Sequence, residues 1–94
     1  MMNESIFKAM SDQTRRKIIE LLKEGPKTAG EISEHFSSAQ PTISRHLNVL
    51  KNANLIIAQR EGNFIIYKLN TTIIQEWLVW LFEHFGGGHY EKEK

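Results

Sequence analysis

Side chains suited to reading DNA bases are concentrated in one short stretch of the sequence: Gln40, Thr42, Ser44 and Arg45. In the major groove glutamine pairs with adenine, arginine pairs with guanine, and the hydroxyls of serine and threonine bond to several base edges. At 100° per residue, a helix that buries Ile43, Leu47 and Leu50 places these polar side chains on or beside its outward face. The stretch therefore predicts a helix that contacts bases with its N-terminal half, the alternative being a merely solvated face.

Further candidate DNA contacts follow in the sequence: His46, Arg60, Asn63 and Lys68. His46 lies at the border of the buried face, so a hydrogen-bonded boundary histidine is favoured over a base contact. Arg60 lies beside a predicted turn, where it could enter a minor groove or pair with a phosphate. The alternative is an exposed hairpin whose charges serve solubility. Phe64 and Tyr67 are interpreted as packing residues.

Two helices are predicted ahead of the base-reading stretch. Apolar spacing favours a short helix over residues 5–10. Ser11 or Asp12 is expected to cap a second helix that runs to about Lys23, where Gly25-Pro26 stops it.

A third helix is expected to open at a capping box formed by Thr28 and Glu31 and to run to about Phe36. After a short polar turn, Ser38 is the expected N-cap of the predicted base-reading helix. That helix is expected to span about residues 39–53. Two helices that meet across such a turn form a helix-turn-helix.

The chain then changes to strand character. β-Branched and aromatic residues dominate 56–60 and 64–69, and the three residues 61–63 between them include a glycine. This pattern predicts a β-hairpin. Asn54 before it is expected to adopt the left-handed conformation that ends a helix.

A last helix is predicted over about 73–85, capped by Thr71 or Thr72 and ended by the glycines at 86–88. The predicted fold class is mainly α with a β-hairpin wing (α+β), a winged helix-turn-helix with the order ααααββα. All 94 residues are expected to form one DNA-binding domain, ordered over about 5–85 with a flexible tail at 86–94.

The last helix carries apolar residues on almost every side, more than one buried face requires. Small soluble proteins rarely expose a large apolar patch, so a second copy is the expected cover. The residues predicted at this homodimer interface are Ile6, Phe7, Met10, Ile74, Trp77, Leu78, Leu81 and Phe85. A different protein or a membrane is the alternative, although Glu76 and Glu83 disfavour anionic lipid.

Charge and composition narrow the class of protein. Residues 37–70 hold four basic side chains against one acidic, a net charge of +3, whereas the whole chain is only +1. The chain has no cysteine, which excludes disulfides and thiolate metal sites. Neither a signal peptide nor a membrane-spanning run is visible, so a cytoplasmic location is expected. No nucleophile or acid–base constellation suggests an enzyme.

The sequence resembles the ArsR/SmtB family of bacterial winged-helix repressors over nearly its whole length. Residues 7–19 resemble the family's opening stretch, except that Gln13 replaces the usual proline. Residues 41–50, PTISRHLNVL, are similar to its recognition-helix motif, and residues 60–67 look like its wing. The resemblance implies a homodimer that binds an operator in double-stranded DNA, with no small-molecule substrate.

The family's metal sites are the weak part of this resemblance. Many relatives carry a Cys-x-Cys pair on the third helix, and others use carboxylates and histidines on the last helix. Only Glu83, His84 and His89 are available here, and glycines separate the histidines, so no metal and no cofactor are expected. The likeness within the family is to small SdpR-type autorepressors, which lack metal ligands. It implies control of a neighbouring membrane-protein gene and allows release by a membrane-protein partner, which no residue shows.

Two alternatives to a metal-independent repressor remain open at this point. One is a metal- or ligand-responsive repressor of the same family. The other is a winged-helix domain that only binds proteins.

Overall fold

The computed structural model describes residues 4–86. The predicted tail beyond residue 86, including His89, lies outside them. Five α-helices and three strands make up the described part, and a π-helical turn of residues Phe82–Gly86 follows the last helix. In chain order the elements are α1 Glu4–Met10, α2 Gln13–Leu22, β1 Lys27–Thr28, α3 Ala29–Ser33, α4 Gln40–Asn52, β2 Ile56–Glu61, β3 Phe64–Leu69 and α5 Thr71–Leu81.

Local capping signals determine where α2 and α3 begin, as predicted. The Asp12 side chain accepts a hydrogen bond from the backbone N–H of Arg15 at 3.1 Å. Thr28 and Glu31 form the reciprocal capping box, at 3.1 Å and 2.8 Å. The prediction for the end of α3 was wrong, because α3 stops at Ser33 and the chain continues to Phe36 through turn hydrogen bonds.

Two predicted caps were wrong. The N-cap of α4 is Ala39 rather than Ser38, and it makes no side-chain capping bond. The N-cap of α5 is Asn70 rather than a threonine, since the Asn70 side chain accepts from the N–H of Ile73 at 3.4 Å. The α-helical part of α5 also ends at Leu81. Asn54 does adopt the predicted left-handed conformation, with φ 63°.

The hairpin belongs to a three-stranded antiparallel sheet of order β1-β3-β2. The sequence did not reveal β1, because two residues are too few to show alternation. Glu61 pairs with Phe64, so the turn has two residues, Gly62 and Asn63, rather than the predicted three. Gly62 has φ 62°, which suits the first position of a tight hairpin turn.

The core forms where α1, α2, α3, α4 and β2 meet. It consists of apolar side chains at most 4% exposed: Ile6, Ala9, Ile18, Leu22, Ile32, Ile43, Leu47, Leu50, Ala53, Leu55 and Ile56. Three of them belong to the predicted buried stripe of α4, which is thereby confirmed. No described helix combines the length and the hydropathy that crossing a bilayer demands.

Candidate nucleic-acid interface

The core holds α4 so that its predicted base-reading side chains lie on the outside. Ile43, Leu47 and Leu50 are at most 1% exposed. Gln40, Ser44 and Arg45 are exposed and Thr42 is half-buried. Within residues 4–86, no hydrogen bond or ion pair engages the guanidinium of Arg45. The N-terminal half of α4 thus presents hydrogen-bonding groups that are free to bond to DNA.

His46 is engaged inside the chain. Its side chain is 18% exposed, and its Nδ1 lies 3.1 Å from Nη1 of Arg15 and 3.9 Å from Oδ2 of Asp12. Arginine is only a donor, so Nδ1 accepts this bond and the ring proton resides on Nε2. This geometry favours the boundary-histidine interpretation over a base contact.

The same arginine caps the preceding helix. Arg15 donates from Nε to the carbonyl of Ala9 at 2.7 Å and from Nη2 to the carbonyl of Lys8 at 3.0 Å. Arg16 donates to the carbonyl of Met10 at 2.8 Å. The last carbonyls of a helix have no partner within it, so α2 supplies the donors that α1 lacks. Nothing in the sequence pattern signalled this contact.

Asp12 completes the group of polar side chains between α2 and α4. The backbone N–H of Arg15 is the main reason that the pKa of Asp12 is lowered. The positive charge of Arg15 and the N–H of Thr14 lower it further, whereas burial opposes them. Asp12 is therefore a carboxylate at neutral pH, as its capping role requires.

The hairpin separates the candidate contacts that it carries. Arg60 pairs with Ile65, one pair away from the turn that contains the exposed Asn63. Lys68 pairs with Ile57, about 10 Å further along the strands at 3.4 Å per residue. Arg60 and Lys68 also point to opposite faces, because successive side chains alternate. The structure brings Arg60 and Asn63 together and keeps Lys68 apart.

The two aromatic side chains of β3 differ in environment. Tyr67 packs against the core, as predicted. Phe64 is 63% exposed, so the interpretation of this residue as a packing residue is wrong within this chain. Phe64 lies at the end of the hairpin, beyond the reach of the core.

A second exposed feature is an apolar surface on α1, α5 and the π-helical turn. We define it by the large side chains that are 47–66% exposed there: Phe7, Leu78, Val79, Phe82 and Phe85. The ring of Phe7 lies edge-on to Trp77 and Trp80, with centroids 5.9 Å and 6.4 Å away. These ring contacts hold α1 against α5.

The apolar surface differs in part from the predicted homodimer interface. Ile6 is 4% exposed and belongs to the core, so its assignment to the interface is corrected. Met10, Ile74 and Trp77 are partly buried against that core, and Leu81 is half-buried. Val79 and Phe82 were not assigned to the interface, although both are exposed.

No group of three or more histidine, aspartate or glutamate side chains within residues 4–86 is arranged to hold a metal ion. His84 Nδ1 lies 2.9 Å from the carbonyl of Trp80, and the two rings stack at 4.4 Å. His35 lines an open groove between α2 and the end of α3 together with Glu20 and Glu24.

Comparison with known proteins gives consistent similarities. The family described as "Bacterial regulatory protein, arsR family" matches residues 12–58. The chain is 51% identical over 84 residues to the transcriptional repressor SdpR of Bacillus subtilis (strain 168), covering 89% of this chain and 93% of that protein. It is 36% identical over 72 residues to the arsenical resistance operon repressor of Staphylococcus aureus, covering 77% and 69% respectively.

The fold also matches solved structures. A crystal structure described as a possible transcriptional regulator for arsenical resistance superposes with a TM-score of 0.76 at 30% identity, covering 89% of this chain and 85% of the other. The family match extends from the N-cap of α2 through the whole of α4 to the start of β2. These are the elements that carry and orient the candidate base-reading side chains.

Proposed function

This chain belongs to the ArsR family of bacterial regulatory proteins, and we propose that it represses transcription as a homodimer bound to a palindromic operator, without requiring a metal ion. The family consists of DNA-binding regulators and not of enzymes. A repressor works where the chromosomal DNA is, so the proposal also places the protein in the cytoplasm. It treats the whole chain as a single DNA-binding domain.

The observation that carries the proposal is the division of α4 into two faces. Its apolar stripe is buried to 0–1% exposure, and Gln40, Ser44 and Arg45 are exposed at its N-terminal half. Helix-turn-helix proteins read the major groove with this part of the helix. We assign base contacts to Gln40, Thr42, Ser44 and Arg45, and groove or phosphate contacts to Arg60 and Asn63. We assign Lys68 a contact of secondary importance with the DNA backbone, because it lies far from the turn.

The apolar surface supports the homodimer. Five large side chains that are about half exposed or more on one set of elements form the kind of patch that soluble proteins cover with a partner. A two-fold dimer presents two recognition helices to half-sites one turn of DNA apart, about 34 Å. A palindromic operator follows from this symmetry.

Metal independence is supported by the arrangement of the ligand-type side chains among residues 4–86. His84 is bonded to a backbone carbonyl, and no cluster of three such groups occurs there. The similarity to the transcriptional repressor SdpR supports repression, and autorepression near the protein's own gene is proposed from the resemblance to SdpR-type autorepressors. Release by a membrane-protein partner rests on that resemblance alone. The second candidate is a metal- or ligand-responsive repressor, favoured by the arsenical-resistance name of one relative.

Fluorescence anisotropy tests the proposal directly. The protein is titrated against duplex DNA from its own promoter and against a scrambled duplex, at two salt concentrations and in EDTA. Selective binding with a steep salt dependence is expected, because phosphate contacts release counterions. Selective binding that appears only after zinc is added would favour the metal-responsive candidate. Equal, weak binding to both duplexes with and without zinc would contradict DNA recognition and favour a protein-binding domain.

A further inference from the structure

Arg15 connects three helices through one side chain. Its Nε and Nη2 donate to the carbonyls of Ala9 and Lys8 at the end of α1, at 2.7 Å and 3.0 Å. Its Nη1 lies 3.1 Å from Nδ1 of His46 on α4. The guanidinium is planar and its donors have fixed relative directions. The end of α1 therefore determines where the ring of His46 is held.

We propose that Arg15 is a positioning residue for DNA binding, which orients the recognition helix α4 by holding His46 against the end of α1. This inference rests on the proposed function. It concerns a residue outside the surface assigned to DNA contact. Its consequence is that the presentation of Arg45 to a base depends on α1.

The core determines which face of α4 is buried, and Arg15 adds a directional restraint at the border of that face. Ile43, Leu47 and Leu50 hold the helix against the core, but the hydrophobic effect that buries them is non-directional. A hydrogen bond from a charged, planar donor is directional and stronger than a neutral one. His46 directly follows Arg45 in α4, so restraining its ring restrains the turn of helix from which Arg45 projects.

The positive charge of Arg15 is already engaged within the chain. All three guanidinium nitrogens have an acceptor, and the Asp12 carboxylate lies on the same side of α4, with Oδ2 3.9 Å from Nδ1 of His46. A phosphate contact would require Arg15 to release these bonds. The geometry thus favours positioning over direct contact with DNA.

Arg15 also connects the apolar surface to α4. Phe7 of that surface lies on α1, three residues before the end of the helix, and packs against Trp77 and Trp80. If α1 shifts when the proposed dimer forms, the two carbonyls that Arg15 holds would carry that shift toward His46.

The neighbouring arginine provides a matched control. Arg16 carries the same charge on the same helix and donates to the carbonyl of Met10 at 2.8 Å. Within the described residues it makes no bond to α4. Replacing either arginine by methionine removes one charge and part of the cap of α1, but only Arg15→Met breaks the bond to His46.

The experiment compares the affinities of Arg15→Met, Arg15→Lys and Arg16→Met for promoter and scrambled duplexes, below the melting temperature of each variant. The ratio of promoter affinity to scrambled affinity is expected to fall about tenfold for both Arg15 variants. This loss is near the lower end of what one lost base contact costs. Arg15→Lys keeps the charge but loses the fork geometry. Arg16→Met is expected to weaken binding to both duplexes equally, so that the ratio of the two affinities stays unchanged.

A double-mutant cycle with His46→Leu separates positioning from general destabilisation. If Arg15 acts through His46, the double variant discriminates between the two duplexes no worse than whichever single variant discriminates less. Additive losses, or an Arg15→Lys ratio equal to that of the wild type, would overturn the positioning role while leaving DNA recognition intact. A wild-type protein that does not discriminate between the duplexes would overturn both the proposed function and this inference.

Discussion

Arg60 and Lys68 project from opposite faces of the β2–β3 hairpin, because Arg60 is paired with Ile65 and Lys68 with Ile57. DNA that approaches one face of the hairpin cannot contact both side chains in the same way. Arg60 lies next to the turn, where a wing reaches a groove. We therefore expect the hairpin to bind DNA chiefly through Arg60 and Asn63.

The two cations of the hairpin provide the first prediction. Arg60→Ala is expected to weaken binding to all duplexes and to reduce the slope of log affinity against log salt by about 1, because one phosphate contact is lost. Lys68→Ala removes the same charge and is expected to have the smaller effect. Anisotropy titrations at several salt concentrations measure both slopes. A larger effect of Lys68→Ala would indicate that DNA approaches the other face.

Base recognition by α4 is tested by comparing its N-terminal half with its last turn. Arg45→Ala is expected to cost about 1–3 kcal/mol of binding free energy for the promoter duplex and little for a scrambled one, since a base contact carries sequence information. Lys51→Ala removes an equal charge from the last turn of α4 and serves as the control. Similar losses on both duplexes for Arg45→Ala would identify Arg45 as a phosphate contact.

The apolar surface makes a prediction about assembly. Phe82→Ser is expected to shift the protein toward monomer in sedimentation velocity experiments, because Phe82 is 60% exposed on the proposed interface. Phe64→Ser is the matched control, since Phe64 is 63% exposed on the hairpin instead. The control should leave the oligomeric state unchanged. If neither variant alters sedimentation, the second copy does not cover this surface.

Core packing sets the stability of the site. Leu47 is 1% exposed in the buried stripe of α4, and Leu47→Ala is expected to lower the free energy of unfolding by about 2–5 kcal/mol. Urea denaturation followed by circular dichroism measures this loss. Val49→Ala, at a half-buried position of the same helix, should cost less.

The cap of α2 predicts a dependence of stability on pH. The pKa of Asp12 is lowered in the folded chain, chiefly by the N–H of Arg15, so ionised Asp12 stabilises the fold. This contribution is complete above the unfolded pKa of about 3.9 and is lost as the pH falls through the lower folded value. Asp12→Asn still caps the helix but does not titrate. Urea denaturation between pH 2 and 6 should show a smaller acid-induced loss for the variant than for the wild type.

Features that depend on neighbouring residues in the chain were predictable. The Thr28–Glu31 capping box, the Asp12 cap, the left-handed Asn54 and the buried stripe of α4 are all formed within one or two helical turns. Short-range hydrogen bonds and helical periodicity leave a direct trace in the order of residues. The candidate base-reading side chains were identified in the same way, because the buried stripe defines the opposite face.

Features that require the strand register to be known to within one residue were not predictable. A three-residue turn would pair Arg60 with Phe64 and would place Arg60 and Lys68 on the same face. The observed turn has two residues, and a shift of one residue moves a side chain to the other face of a sheet. The sequence of the turn allowed both lengths.

The sequence by itself determined the family, the order of the main elements and the face of α4 that is exposed, because these depend on local spacing. Only the tertiary structure decided the contacts between distant segments. Arg15 and His46 are 31 positions apart, and β1 is recognisable as a strand only because Lys27 and Thr28 pair with Tyr67 and Ile66. Such contacts depend on how helices and strands pack, which no local pattern encodes.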